Sequence, residues 1–264
     1  MFEVSFAEKI EKNEKIEFPV KKSSKFSFSG KLRYYWCWFV AAVMVLFIGA
    51  PTLVFLWLIN RRTWLYPLAQ WGAKIWLRAC GAKVEVRGIE NLESRKSYIF
   101  VSNHRSYLDT AALFAYTGRR MSIVAKKELL KVPIFGQGMG FVNIIAIDRS
   151  NPEKAIESIN RTQELLSKGY SVGFFAEGTR AMPGELLPFK KGAFHLALQT
   201  GTPIVPVAIK NTDWMMGKNC GTAFPGTIQM IFLPPVEVEG YRTEDIPKLL
   251  NKVRGMIAEE LAKV

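Results

Sequence analysis

The chain contains two histidines, which makes the search for a general base short. His104 stands in Ser102-Asn103-His104-Arg105-Ser106-Tyr107-Leu108-Asp109, directly after the apolar run Tyr98 to Val101. On a continuous helix, residues five apart point about 140° away from each other, so a His104 to Asp109 pair has to straddle an element boundary. Ser106 followed by Asp109 has capping-box spacing. It predicts a helix starting at Ser106, with His104 on the preceding loop and Asp109 in the first turn. Folded back, that loop would let Asp109 hold one ring nitrogen, fix the tautomer and leave the other nitrogen to take a proton. The arrangement is that of a Ser-His-Asp triad whose hydroxyl comes from the substrate. The competing reading is a capping aspartate beside a loop histidine with no catalytic part. His195, within the apolar pattern Gly192 to Leu198, reads as a helix-surface or core residue.

A second constellation, Phe174-Phe175-Ala176-Glu177-Gly178-Thr179-Arg180, follows an apolar run beginning at Ser171. Gly178 lets the backbone turn tightly where Glu and Arg emerge together. An arginine there can grip a phosphate by two parallel hydrogen bonds, and Glu177 can orient it or a substrate hydroxyl. A Glu177 to Arg180 salt bridge is the plain alternative. Further cations fall at element ends: Lys126 and Lys127, Arg149, and Lys190 with Lys191. An anionic substrate group accounts for them together, and solvated surface charge accounts for each singly. Gly169-Tyr170-Ser171-Val172-Gly173 matches the hydrolase elbow G-x-S-x-G, but the elbow needs a strand before its serine and a helix after it. Here a helical pattern ends at Lys168 and a strand follows, which argues against Ser171 as a nucleophile. No Walker loop, dinucleotide fingerprint or H-E-x-x-H is present.

These residues need elements to position them. Strand-like runs occur at Lys83 to Val86, Tyr98 to Val101, Ser122 to Ala125, Asn143 to Ile147, Ser171 to Phe175, Ile204 to Ile209 and Ile228 to Phe232. Helical patterns cover Tyr107 to Tyr116, Glu153 to Lys168, Lys191 to Gln199 and Glu244 to Leu261. The fold class is therefore α/β, a mostly buried mixed sheet flanked by helices, over residues 81–264. Its length suffices to bury a proper core.

The N-terminal third differs in kind. Residues 1–33 carry eight Lys/Arg and five Glu, and read as a basic, partly disordered tail with a short helix around Phe6 to Ile16. From Tyr34 to Ile59 no residue is charged, and a helix of that length exceeds the roughly 30 Å hydrocarbon core of a bilayer. Gly49 and Pro51 interrupt the run, and basic residues flank both ends. A hairpin dipping into one leaflet at Pro51 fits at least as well as a single span. Trp64, Leu68, Trp71 and Ile75 then share one helical face, with Gln70, Lys74 and Arg78 on another, as in an interfacial amphipathic helix or one docked on the globular domain. Residues 34–80 thus form a membrane-associated helical segment.

Composition agrees with this division. Of 264 residues 49% are hydrophobic, which excludes a disordered polycation, while a formal net charge of +13 points to anionic lipid or nucleic acid. The basic residues are interrupted by acids and match no nucleic-acid module, so nucleic acid is the weaker partner. Cys37, Cys80 and Cys220 are far apart in sequence and imply neither a disulfide framework nor a zinc site.

Asn103-His104 with Asp109, Lys131-Val132-Pro133-Ile134-Phe135-Gly136 leading to Ile147-Asp148-Arg149, Glu177-Gly178-Thr179-Arg180 and Val205-Pro206-Val207-Ala208-Ile209 resemble the four ordered motifs of the glycerolipid acyltransferase family. The closest likeness is to 1-acyl-glycerol-3-phosphate acyltransferases, over roughly residues 75 to 240. Ala176 replaces the proline usual before Glu-Gly-Thr-Arg. The resemblance implies direct transfer from an acyl thioester, acyl-CoA or acyl carrier protein, to the free hydroxyl of a lysophospholipid acceptor, with no metal and no cofactor beyond that co-substrate. It implies that His104 is the general base and that Asp109 orients it. It also implies that Glu177, Gly178, Thr179 and Arg180, with Lys126 and Arg149, bind the acceptor, and backbone near Gly178 is the expected oxyanion donor. The expected location is an anionic membrane, with the catalytic domain on the cytoplasmic face. Other readings are an acyltransferase for glycerol-3-phosphate or another lysolipid, and a membrane protein that binds acidic phospholipid without chemistry.

Overall fold

The computed structural model describes residues 5–20, 27–61, 64–126, 128, 131, 134–147 and 152–263. The first elements are α1 (Phe6–Glu11), a two-residue strand β1 (Ile16–Glu17), α2 (Phe28–Val43), a π-helical stretch (Met44–Gly49), α3 (Ala50–Leu58) and α4 (Leu65–Ala79). The α/β part follows as β2 (Ala82–Arg87), β3 (Ile99–Ser102), α5 (Tyr107–Tyr116), β4 (Met121–Lys126), α6 (Phe135–Phe141) and β5 (Ile145–Ile147). It continues with α7 (Pro152–Ser167), β6 (Ser171–Phe175), β7 (Glu185–Leu186), α8 (Gly192–Thr200), β8 (Ile204–Lys210), α9 (Thr212–Met216), β9 (Gly226–Phe232) and α10 (Ile246–Ala262).

Seven strands form one sheet in the order β2-β9-β8-β3-β6-β4-β5. All neighbours are parallel except β8 and β9, so the sheet is mixed as expected. Successive strand residues face opposite sides, and both sides are covered. Phe100, Val205 and Val207 join Leu108, Leu113 and Leu77 on one side, while Ile99, Val101 and Ile204 join Phe194, Leu249 and Val253 on the other. Burial on both faces explains why these strands read as continuous apolar runs.

The N-terminal third departs from expectation in three ways. Residues 5–20 are not a solvated tail: Ile16 is 2% exposed, and β1 pairs antiparallel with β7. The expected short helix stops at Glu11, and Ile16 belongs to the strand.

Second, Pro51 does not reverse the chain. Phe28–Leu58 is one helix of 31 residues, about 46 Å long, and apolar enough to cross a bilayer. The π-helical stretch precedes the proline, and Ala50 donates its amide to the Val45 carbonyl, a wider loop that accommodates the missing donor at Pro51 within a continuing helix. Reversal comes instead between Leu58 and Leu65, where Asn60 takes a φ of 51°. α4 then returns along α2, with Trp76 Nε1 donating to the Cys37 carbonyl at 2.9 Å. Cys37 and Cys80, remote in sequence, share one buried cluster as free thiols.

Third, both faces of α4 are used. Leu65, Tyr66 and Leu77 are buried, and Trp64 and Trp71 remain exposed. Two residues of the side read as polar turn inward, while Arg78 stays exposed: Gln70 donates to the carbonyls of Phe114 and Arg119 at 3.1 and 3.3 Å, and the Lys74 ammonium lies 5.2 Å from the Tyr116 ring centre. Phe39, Phe47, Phe55 and Trp57 of α2 to α3 stay exposed, as an apolar face without a charged residue.

Candidate active site

The sheet order places the carboxyl ends of β8, β3, β6 and β4 side by side. Polar residues at adjacent strand ends of an α/β sheet converge on one crevice. The β3 end carries His104. Asn103 staples it to β8 by a two-way bond, its Nδ2 donating to the Ile209 carbonyl at 2.9 Å and the Ile209 amide donating to its Oδ1 at 2.8 Å.

Ser106 caps α5, and the capping box with Asp109 forms as its spacing predicts. Asp109 is fully buried and its Oδ2 accepts from the amides of Arg105 and Ser106 at 2.6 and 2.7 Å. The same oxygen lies 3.1 Å from His104 Nδ1. The His104 ring stacks on Phe175 of β6, with centres 4.0 Å apart and planes 23° apart. An imidazole held at Nδ1 by a carboxylate and on one face by a ring has a fixed tautomer and plane, and its Nε2 can take a proton from a hydroxyl.

Gly178 has a φ of +73°, which only glycine adopts without strain, and it turns the chain after β6. Its amide donates to the Phe175 carbonyl at 2.9 Å. Of the backbone expected near Gly178 to meet an oxyanion, this one amide is engaged in its own turn. Glu177 is 2% exposed, and both carboxyl oxygens are engaged by backbone instead of by the alternative partner Arg180: Oε1 accepts from the His104 amide at 2.6 Å and Oε2 from the Leu187 amide at 2.7 Å. It is a clamp on the loop that carries His104. Burial, only partly offset by these two bonds, pushes its pKa up to about 8. The Ala181 amide completes the clamp, donating to the His104 carbonyl at 2.7 Å.

Thr179 is exposed at the rim, and Arg180 lies flat on Tyr107, with the guanidinium carbon 3.8 Å from the ring centre and Nη2 3.2 Å from the hydroxyl. The other side of the site meets the long apolar helix: Trp38 packs edge-on against Tyr107 with centres 5.2 Å apart. Lys126 is the last residue of β4, at the same sheet edge. Arg149 lies outside the described residues. His195 is exposed on α8, and Ser171 is buried at the start of β6, away from the carboxyl edge, where its hydroxyl accepts from the Tyr98 amide at 3.1 Å.

Sequence reasoning missed the support behind the loop. Arg105 and Asp213 form a buried ion pair at 3.1 Å, and Asp213 Oδ2 also accepts from the Gly184 amide at 3.1 Å. Lys218 Nζ donates to the Arg180 carbonyl at 2.6 Å, and Ser106 Oγ to the Met216 carbonyl at 2.7 Å. Asp213 follows the strand Ile204 to Ile209 as Lys126 follows Ser122 to Ala125, so the strand-end argument could have found it.

The fold is an α/β domain with His104 and Asp109 paired at the carboxyl edge of its sheet, and its likeness to known proteins is to acyltransferases. Residues 83–210 match the Acyltransferase family model. The 1-acyl-sn-glycerol-3-phosphate acyltransferase alpha of Mus musculus is 39% identical over 176 residues, 66% of this chain and 62% of that protein. The 1-acyl-sn-glycerol-3-phosphate acyltransferase of Saccharomyces cerevisiae is 36% identical over 187 residues, 70% of this chain and 61% of that protein. The crystal structure of the 1-acyl-sn-glycerophosphate (LPA) acyltransferase PlsC from Thermotoga maritima has a TM-score of 0.76 at 26% identity, covering 89% of this chain and 97% of that one. Residues 83–210 thus form an Acyltransferase domain similar to those of these 1-acyl-sn-glycerol-3-phosphate acyltransferases. The chain spans less than two thirds of the length of these curated relatives.

Proposed function

We propose that the protein transfers an acyl chain from an acyl thioester, acyl-CoA or acyl carrier protein, to the free hydroxyl of 1-acyl-glycerol-3-phosphate, giving phosphatidic acid. The observation that carries this reading is the His104 to Asp109 pair at 3.1 Å after β3, beside the neighbouring strand β6 whose following loop carries Arg180, its guanidinium carbon 3.8 Å from the Tyr107 ring centre. His104 Nε2 takes the acceptor's hydroxyl proton as the oxygen attacks the thioester carbonyl, and the thiol leaves with a proton returned from the imidazolium. Asp109 orients His104 and balances its transient charge. Arg180 and Thr179, with Lys126 and Arg149, meet the acceptor's phosphate and glycerol, while Glu177 and Gly178 shape the loop that presents them.

The reaction fits a membrane location. The exposed apolar face of α2 to α3, with Trp64 and Trp71, supports insertion into the bilayer that holds the acceptor, and the basic flanks support contact with anionic lipid. Three free thiols support a reducing, cytoplasmic side for the catalytic domain.

The test is release of free thiol from acyl-CoA with lysophosphatidate, glycerol-3-phosphate and other lysolipids as acceptors. Release should depend on lysophosphatidate and fall by at least about 1,000-fold in His104→Ala, with vesicle binding unchanged. Wild-type turnover in the purified variant would sink the base assignment, and lipid binding without any thiol release would leave a binding protein.

A further inference from the structure

Residues 5–20 lie outside the stretch that matches the family model, yet they are built into the edge of the active site. α1 packs on α10, where Arg254 is fully buried. A buried guanidinium needs partners for its donors, and two of them come from this segment: Arg254 Nη1 donates to the Lys9 carbonyl at 2.9 Å and Nη2 to that of Glu14, while Nε is left without one among the described residues. Asn13 exchanges two bonds with the Phe189 backbone, Nδ2 to carbonyl at 3.0 Å and amide to Oδ1 at 2.8 Å. Ile16 and Glu17 then pair with Leu186 and Glu185, and the Phe18 amide donates to the Gly184 carbonyl at 2.7 Å. Gly184 has a φ of +79°, and a Cβ there would stand 2.2 Å from Val20 Cγ2, so the segment approaches as closely as a glycine permits.

The residues gripped in this way are the ones that reach the catalytic loop. Gly184 donates to Asp213, the Glu185 carbonyl accepts from Arg105 Nε at 2.7 Å, and Leu187 donates to Glu177, which in turn holds the His104 amide. Phe18 adds a direct contact, its ring centre 5.4 Å from the Arg105 guanidinium carbon. A two-residue strand has too few bonds to hold its own place and needs a partner.

We propose that residues 5–20 are a strap that positions the catalytic loop: by pairing with β7 and laying Phe18 against Arg105, it sets the backbone of His104 and thereby the direction of its Nε2. Phe18 and Asn13 are positioning residues that touch no substrate. The inference rests on His104 as the base, and hydrogen exchange tests the strap separately from turnover.

The experiment uses the full chain in one detergent: Phe18→Ala, Phe18→Tyr and Asn13→Gly against wild type, with thiol-release kinetics and hydrogen-deuterium exchange. Phe18→Ala should lower kcat about tenfold with both KM values within about twofold, since a small misplacement of a catalytic group acts on the chemical step. Exchange should speed up at residues 184–187 and 103–106 and stay unchanged in β8, and Phe18→Tyr should restore both readouts. Asn13→Gly keeps the positive φ and removes only the two side-chain bonds, so it carries the same expectation, smaller in size, if Phe18→Ala does not fold. Unchanged kcat, unchanged exchange at 184–187, or a loss confined to KM would overturn the strap. If wild type releases no thiol with any acceptor, the proposed reaction falls while exchange still decides the strap.

Discussion

At Glu177 two physical demands conflict. Two backbone amides favour the carboxylate, and near-complete burial favours the acid, with burial prevailing at a pKa of about 8. Between about pH 4.5 and 8 the folded carboxyl therefore holds a proton that the unfolded chain has released. This contribution to stability is complete below the unfolded pKa and is lost as pH rises through the folded one, at up to about 1.4 kcal/mol per pH unit. Glu177→Gln removes the titration and leaves one of the two amides poorly met, at a cost of about 1–3 kcal/mol. Thermal unfolding from pH 5 to 8 should show the variant less stable in acid, with the gap closing as pH rises. Parallel profiles for the two proteins would show that Glu177 does not titrate in this window.

Among the elements, α9 bears on the site despite its five residues. It delivers Asp213 to Arg105, and the chain just after it delivers Lys218 to the Arg180 carbonyl. Removing one partner of a buried ion pair leaves a charge without compensation, typically costing about 3–5 kcal/mol. Asp213→Asn should lower the melting temperature by several degrees and reduce turnover through the His104 loop. A melting curve and a thiol-release rate at wild-type levels would show that the pair carries no load.

The long elements were legible because their patterns have one cause. The runs Ser171 to Phe175 and Tyr107 to Tyr116 coincide with β6 and α5, since a doubly covered strand and a capped helix advertise themselves locally. β1, β7 and α9 were not legible. Each is held by distant partners, Ile16 by Leu186 and Asp213 by Arg105, and such pairings leave no periodicity to read. At the site, His104 and Asp109 could be paired from spacing alone because the capping box dictates the turn. The contacts of Glu177 are not legible for the opposite reason: its partners are backbone amides, which have no residue type.

On the scale of the whole molecule, the helix that bears the apolar face of α2 to α3 is joined to the sheet edge that carries His104 through Trp38 and Tyr107. Phe47, Phe55 and Trp57 are 73%, 58% and 62% exposed, and each offers a large apolar surface to hydrocarbon. Replacing all three with serine should weaken partitioning onto vesicles by at least about 100-fold, at roughly 1.5–3 kcal/mol for each fully inserted side chain. Cosedimentation with phosphatidylglycerol vesicles measures this, and unchanged binding would place the membrane contact elsewhere.

The ring of Tyr107 is pressed between Trp38 of the long helix and the guanidinium of Arg180. On the reaction proposed above, a site tied in this way to a long apolar helix meets its acceptor as molecules per unit area. Its rate is then expected to follow the mole fraction of lysolipid in the surface: adding inert lipid to the same vesicles should slow turnover although the amount of acceptor in the tube has not changed.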